Sequence, residues 1–257
     1  MLRFERHGAG RRLVLLPGAA CGPGVWEPLV EALAPRFAVE VGVVAGFGAE
    51  PPDAATSWGG LRSAVIAHLA EGPPAIRVGH SLGGTLALDA ALAHPVDGVV
   101  LIESGPALGG LVYRTDDSDA QRARAAEMVA LADAGDAFVE LLVASMRPMF
   151  TDPESFAAVA REAGLSEPRV VAELLAALVE VDLRDALSRL SAPVLHLVGA
   201  DGGPERVAAF RAQTPEAELV LVPGSRHFPM VERPQLTAAQ IDDWIGRSLS
   251  KPPDRGL

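Results

Sequence analysis

The stretch Ala75-Ile76-Arg77-Val78-Gly79-His80-Ser81-Leu82-Gly83-Gly84 decides the fold. A short apolar run passes straight into a Gly-x-Ser-x-Gly turn, and a helix of small apolar residues continues to His94-Pro95. A serine on so tight a strand-to-helix turn takes a strained backbone, and glycines on both sides remove the clashes that side chains would make. The turn leaves the hydroxyl exposed at the carboxyl end of a strand, where open α/β sheets bind ligands. The start of the next helix points free N–H groups at the same place. The bland reading is a plain turn with Ser81 as helix N-cap. The motif's position between strand and helix favours a nucleophile.

Working outward, apolar runs ended by Gly or Pro recur, as buried parallel strands do. Leu13-Val14-Leu15-Leu16 stops at Pro17-Gly18, Phe37 to Val44 ends in Ala45-Gly46-Phe47-Gly48, and Val99 to Ile102 follows the elbow helix. Between them, Trp26, Leu29, Val30 and Leu33 fall on one helical face, and Asp53 to Leu69 reads as a helix. From Ser104 to Ser191 the pattern is helical throughout. Alternation resumes with the strand Val194 to Val198, a helix from Glu205 to Gln213, the strand Leu219 to Val222 and a helix from Pro234 to Leu249. This predicts an α/β, doubly wound, mostly parallel sheet interrupted by a helical insertion. The expected division is a core of residues 1–103 and 192–250, a helical cap of 104–191 and a disordered tail of 251–257.

A nucleophilic serine needs a base, and the chain has six histidines. His7 lies near the first, edge strand, His68 on a helix among apolar neighbours, His94 at a helix end and His196 in mid-strand. His80 is inside the elbow, with its side chain expected to point away from the pocket. Only His227, in Pro223-Gly224-Ser225-Arg226-His227-Phe228-Pro229-Met230, falls in a loop after a late strand, where an imidazole can reach over Ser81.

With these stretches, and with Val231-Glu232-Arg233-Pro234 after them, the chain resembles the α/β-hydrolase superfamily in its branch with a helical cap. The resemblance implies that Ser81 accepts the acyl group and that His227 acts first as base, then as acid. It implies that the N–H of Leu82 is one oxyanion donor. The second comes from the turn after the first core strand, at Ala19 or else Ala20, where Pro17-Gly18 replaces the family's usual His-Gly. The acid that orients His227 has two candidates. The family places it after the strand ending at Val198, usually three residues past a glycine; here Gly199 is followed by Ala200-Asp201-Gly202, one position early. The alternative acid is Glu103, directly after the strand Val99 to Ile102. The bland readings are a helix-capping turn for Asp201 and an arginine-paired strand end for Glu103. Both fit the chain order Ser, acid, His, and the family's usual placement of the acid favours Asp201.

The expected activity is therefore that of a carboxylic ester hydrolase acting through an acyl-enzyme, with thioester, lactone or amide substrates using the same groups. A carbon–carbon bond hydrolase, a perhydrolase and a non-catalytic receptor are the alternatives. Serine at the elbow argues against the haloalkane dehalogenases and epoxide hydrolases of this fold, which use aspartate. Lys251, the only lysine, lies in the tail, which argues against hydroxynitrile lyases that use an active-site lysine. Cap residues Tyr113, Met128, Phe138, Leu141, Leu142, Met146, Met149 and Phe150 are candidates for an apolar lining. No metal cluster, phosphate loop or dinucleotide fingerprint is present, so no metal and no cofactor are expected. The single Cys21 excludes an internal disulfide. A net charge of −11 argues against nucleic-acid partners and anionic membranes. Without an apolar span or signal-peptide core, the chain is expected to be soluble and cytoplasmic, with a small ester-type substrate.

Overall fold

The computed structural model describes residues 1–249. Strands β1 (Leu2–His7), β2 (Arg11–Leu16), β3 (Phe37–Val44), β4 (Ile76–His80), β5 (Gly98–Ile102), β6 (Val194–Gly199) and β7 (Glu218–Val222) form one seven-stranded sheet. The spatial order is β1-β3-β2-β4-β5-β6-β7. Only β1 runs antiparallel to its neighbour; the remaining pairs are parallel. The strands β2, β4 and β5 are buried along almost their whole length, which is why they read as continuous apolar runs rather than alternating ones.

Helices α1 (Glu27–Leu33), α2 (Trp58–Ala70) and α3 (Leu82–Ala93) make the first crossovers. From β2 the chain steps to β3 on one side, then returns to place β4 on the other side of β2. Right-handed crossovers therefore put α1 on one face and α2 and α3 on the other. The reversal leaves a crevice at the carboxyl ends of β2 and β4, the position where sheets of this kind bind ligands.

Between β5 and β6 the described chain is helical: α4 (Gly109–Tyr113), α5 (Ser118–Leu131), α6 (Asp136–Met146), α7 (Pro153–Ala163) and α8 (Pro168–Ala177), with short 3₁₀ turns. Asp117 and Asp152 cap α5 and α7 by accepting backbone N–H bonds. The fold closes with α9 (Pro204–Gln213), the single turn α10 (Pro229–Glu232) and α11 (Pro234–Ser248), which packs beside α1. No helix among the described residues is long and apolar enough to cross a membrane. The tail 251–257, expected to be disordered, lies outside the described residues.

Two elements differ from the sequence reading. The edge strand β1 is an addition: Leu2 and Phe4 are half-buried while Arg3, Arg6 and His7 are charged, polar or exposed, so its apolar content is too low to stand out. Helix α2 starts at Trp58 rather than Asp53. Asp53 Oδ1 instead accepts the N–H of Ala55 (2.9 Å) in a local turn, and Ser57 provides the cap, its hydroxyl accepting the N–H of Gly60 (3.2 Å).

Candidate active site

The elbow is built by close backbone approach. A Cβ on Gly79 would lie 2.3 Å from the Gly83 carbonyl oxygen, and one on Gly83 would lie 2.2 Å from that of Leu16. Only glycine lets β4 turn into α3 this tightly against β2. Ser81 sits at the apex with φ 50° and ψ −123°. A non-glycine residue held there is strained, and the strain is sustained by fixed partners. The Ser81 N–H donates to the Ile102 carbonyl (3.0 Å), and the Ser104 hydroxyl donates to the Ser81 carbonyl (2.6 Å).

The loop after β2 forms a turn in which the Cys21 N–H donates to Gly18 (3.2 Å) and Ala20 takes φ 60°. Ala19, ahead of that strained residue, lines the same cleft as Ser81. Leu82 is the first residue of α3, and a helix's first N–H groups have no partner within it. Both N–H groups expected to hold an oxyanion thus belong to turns flanking the serine. Ala20 is buried, and its carbonyl is occupied by the Ser166 hydroxyl (3.3 Å).

His227 enters the cleft from the loop after β7. Its N–H donates to the Met149 carbonyl (3.0 Å), and its own carbonyl lies 2.9 Å from Nε2 of His80. Here the expectation for His80 is corrected. Its side chain does not turn away from the pocket but borders it, 1% exposed, with its ring centroid 4.8 Å from that of His227. The reason is steric: the glycine at position 18 leaves room for the imidazole, and a Cβ there would lie 2.5 Å from His80 Nδ1. Burial, and then the neighbouring His227, hold the His80 pKa well below the usual imidazole value, so it is neutral.

The acid position is corrected as well. Nδ1 of His227 lies 3.1 Å from Oε2 of Glu103, not from Asp201. Glu103 follows β5 directly, is 1% exposed and takes φ 50°. Its Oε1 accepts the Gly199 N–H (2.8 Å), and its Oε2 also accepts from Nε of Arg206 (2.5 Å). Burial works against the Glu103 charge, but the bond from His227 and the Arg206 cation outweigh it and hold its pKa below the usual carboxylate value. Asp201 is exposed, in a 3₁₀ turn (Ala200–Gly202), and its Oδ1 accepts the Gly224 N–H (3.3 Å). One residue in such a turn rotates a side chain by about 120°. An aspartate one position early therefore faces the backbone of the neighbouring loop instead of the imidazole.

A cleft of about 720 Å³ joins Ser81, His227 and Glu103 to the cap. That is the size of a site for a small organic ligand. Met128, Leu142, Met146 and Met149 line it, as expected of some cap residues. Tyr113, Phe138 and Phe150 are buried in packing instead, and Leu141 is 56% exposed. Cys21 is buried and its thiol is pushed up to about 12 by that burial, which leaves it inert beside the turn at Ala19. Among the described residues no group of His, Cys, Asp or Glu is arranged to hold a metal ion. Arg206 and His80 are the contributors that sequence reasoning missed. Arg206 sits in Pro204-Glu205-Arg206 at an ordinary helix start, and nothing in that pattern marks it.

Comparison with known proteins gives the family. A profile described as "Alpha/beta hydrolase family" matches residues 13–240. The pimeloyl-[acyl-carrier protein] methyl ester esterase of Edwardsiella ictaluri is 30% identical over 96% of this chain and 99% of its own. That of Xanthomonas campestris pv. campestris is 31% identical over 95% of this chain and 98% of its own. Among solved structures, a thermophilic esterase from Thermogutta terrifontis superimposes with a TM-score of 0.78 at 24% identity, covering 97% of this chain and 94% of that one. MenH from S. aureus does so with a TM-score of 0.80 at 17% identity, covering 96% and 98%; both structures speak to the fold alone. Matched by the family profile over most of its length and by esterases along nearly all of it, the chain belongs to the alpha/beta hydrolase family.

Proposed function

We propose that this carboxylic ester hydrolase cleaves the methyl ester of an extended acyl chain, using Ser81 as nucleophile, His227 as base and Glu103 as the acid that orients it. The observation that carries the reading is the cleft itself. A strained, half-buried serine and an imidazole held by a buried carboxylate share it with an apolar cap lining. Relatives that are methyl ester esterases support the leaving group.

The steps follow from the groups present. Ser81 Oγ attacks the ester carbonyl carbon while His227 Nε2 takes its proton, and Glu103 stabilises the imidazolium through Nδ1–H. The N–H groups of Leu82 and Ala19 hold the tetrahedral oxyanion. Collapse expels the alcohol, which leaves with the proton from His227, and the acyl group stays on Ser81. Water, deprotonated by His227, attacks the acyl-enzyme and frees the acid, and Ser81 Oγ recovers its proton.

The test is methanol release from methyl esters of graded acyl length by the wild type and by Ser81→Ala. We expect turnover by the wild type and a loss of at least about a thousandfold in the variant, with the circular dichroism unchanged. Wild-type rates in a folded Ser81→Ala protein would remove the assignment. A wild type that binds such esters and never releases methanol would make the chain a receptor.

A further inference from the structure

The first turn of α9 carries a group that the esterase mechanism above does not use. Arg206 Nε lies 2.5 Å from Glu103 Oε2, and Arg206 Nη2 lies 2.8 Å from Nδ1 of His227. The same carboxylate oxygen is 3.1 Å from Nδ1. Acid, imidazole and guanidinium therefore form a closed triangle. The cation is fixed from behind, with its guanidinium carbon 5.2 Å from the ring centroid of Phe210, one turn along α9.

A guanidinium can only donate hydrogen bonds. When Nδ1 is bare, Nη2 donates to it, and the ring proton sits on Nε2, where it prevents His227 from taking the Ser81 proton. When Nδ1 carries the proton and donates it to Glu103, Nη2 faces an N–H and repels it. A ring charged at both nitrogens is disfavoured further by the adjacent cation. At the same time, the Nε bond and the Gly199 N–H (2.8 Å from Oε1) leave the Glu103 carboxylate little freedom to turn.

We propose that Arg206 is a positioning residue of this site, locking Glu103 beneath His227 while opposing positive charge on the imidazole. The inference rests on the esterase reading with Glu103 as acid. The other charged or titratable groups facing the ring do not take this role. His80, at the end of β4, is neutral. Arg226, the preceding residue, donates to the Pro148 carbonyl (3.0 Å). Asp201, after β6, is engaged by Gly224, and Arg114 lies on the cap side of the cleft.

The sign of the effect follows. His227 works as a base only when neutral, so the acid limb of kcat/KM marks its protonation. Burial first, and the Arg206 charge after it, lower the His227 pKa from the usual imidazole value, against the bond to Glu103, which raises it. Taking away the Arg206 charge should move the limb to higher pH. Because Arg206 is 31% exposed, solvent screens part of the effect. A shift of about one unit, or about tenfold in rate below the limb, is the scale to look for.

The experiment compares pH profiles of kcat/KM on a methyl ester for the wild type, Arg206→Met and Arg206→Lys. Arg206→Met should move the acid limb upward. Arg206→Lys, which keeps the charge but loses the planar fork, should lower kcat with the limb near its wild-type position. A limb unmoved in Arg206→Met would overturn the proposal and leave Arg206 a structural contact. A measurement independent of turnover stands beside it: NMR titration of the His227 ring in Ser81→Ala, with and without Arg206→Met, assigned by the signal lost in His227→Gln. The midpoint should rise in the double variant, and an unchanged or lower midpoint would again overturn the proposal. If the wild type cleaves no ester, the esterase reading fails, while the NMR titration still decides the role of Arg206.

Discussion

Two side chains of the site, Ser81 and Glu103, belong to residues with φ of 50° although neither is glycine. Each such conformation costs on the order of 1–3 kcal/mol and survives only where surrounding bonds over-determine it. They are joined through backbone and side chain: Ser81 N–H bonds to Ile102, and Ser104 bonds back to Ser81. Glu103, the proposed acid, is thus anchored to the same turn that presents Ser81. Since one carboxylate lies on Nδ1 of His227, the two candidates should separate sharply. Glu103→Gln keeps the shape and removes the charge, and should lower turnover by about three to four orders of magnitude. Asp201→Asn should change it by less than about tenfold. The reverse ranking, from steady-state kinetics of both variants, would return the acid to Asp201. Ser81 and His227, which line one cleft, were singled out in the sequence because each is marked by its neighbours, the elbow glycines in one case and a loop after the last strand in the other. Glu103 was visible only as an alternative. The family's usual place for the acid, after the strand ending at Val198, pointed to Asp201, and what separates the two is the direction in which a single turn after Gly199 aims a side chain. No local pattern encodes that direction.

The elements of the cap and core meet at a buried carboxylate. Glu232, the last residue of α10, is 6% exposed. Its Oε1 accepts the N–H and hydroxyl of Thr151 (each 2.5 Å), and its Oε2 accepts the Arg226 N–H (2.8 Å). Thr151 lies where the cap returns over the site, two residues after Met149, whose carbonyl takes the His227 N–H. Glu232 therefore ties the segment around Thr151 to the loop that carries His227. In Glu232→Gln one acceptor becomes an amide N–H₂ pressed against a backbone N–H. The loss should be about 1–3 kcal/mol, the cost of an unsatisfied buried group. For a chain of this size that is a fall of several degrees in Tm. Because the misfit is beside His227, kcat should fall as well, by about tenfold. A calorimetric Tm and kcat both at wild-type values would show that the clamp carries no load. The buried parallel strands and the long helices were readable from their apolar periods. The edge strand β1 was not, since one face of it is solvent-facing and its neighbour supplies the pairing. The start of α2 was misplaced because Asp53 and Ser57 are both competent caps, and only the local turn at Asp53 selects the second.

At the scale of the molecule, the cleft is lined from below by loops of the sheet and from above by helices between β5 and β6. Three loops at the carboxyl ends of β2, β4 and β5 place Ala19, Ser81 and Glu103 on one side of the cleft. The loop after β7 adds His227, and the helices between β5 and β6 roof them with methionine and leucine. The helical run between β5 and β6 was readable in outline, since the alternation of strand and helix stops at one place and resumes at another. Which cap residues face inward was not. Met146 and Met149 line the cleft, whereas Phe138 and Phe150, at similar helical spacing, pack away from it. Helix rotation, set by tertiary contacts, makes that choice. The central claim is that one serine in this assembly becomes acylated. The buried Cys21 thiol, pushed up to about 12, offers no competing nucleophile. The most direct measurement is intact-mass and peptide analysis after treatment with a fluorophosphonate, for the wild type and for Ser81→Ala. The account predicts a single phosphonyl adduct on the peptide containing Ser81 and none in the variant. A wild type that stays unlabelled, or an adduct that persists in folded Ser81→Ala, would contradict it.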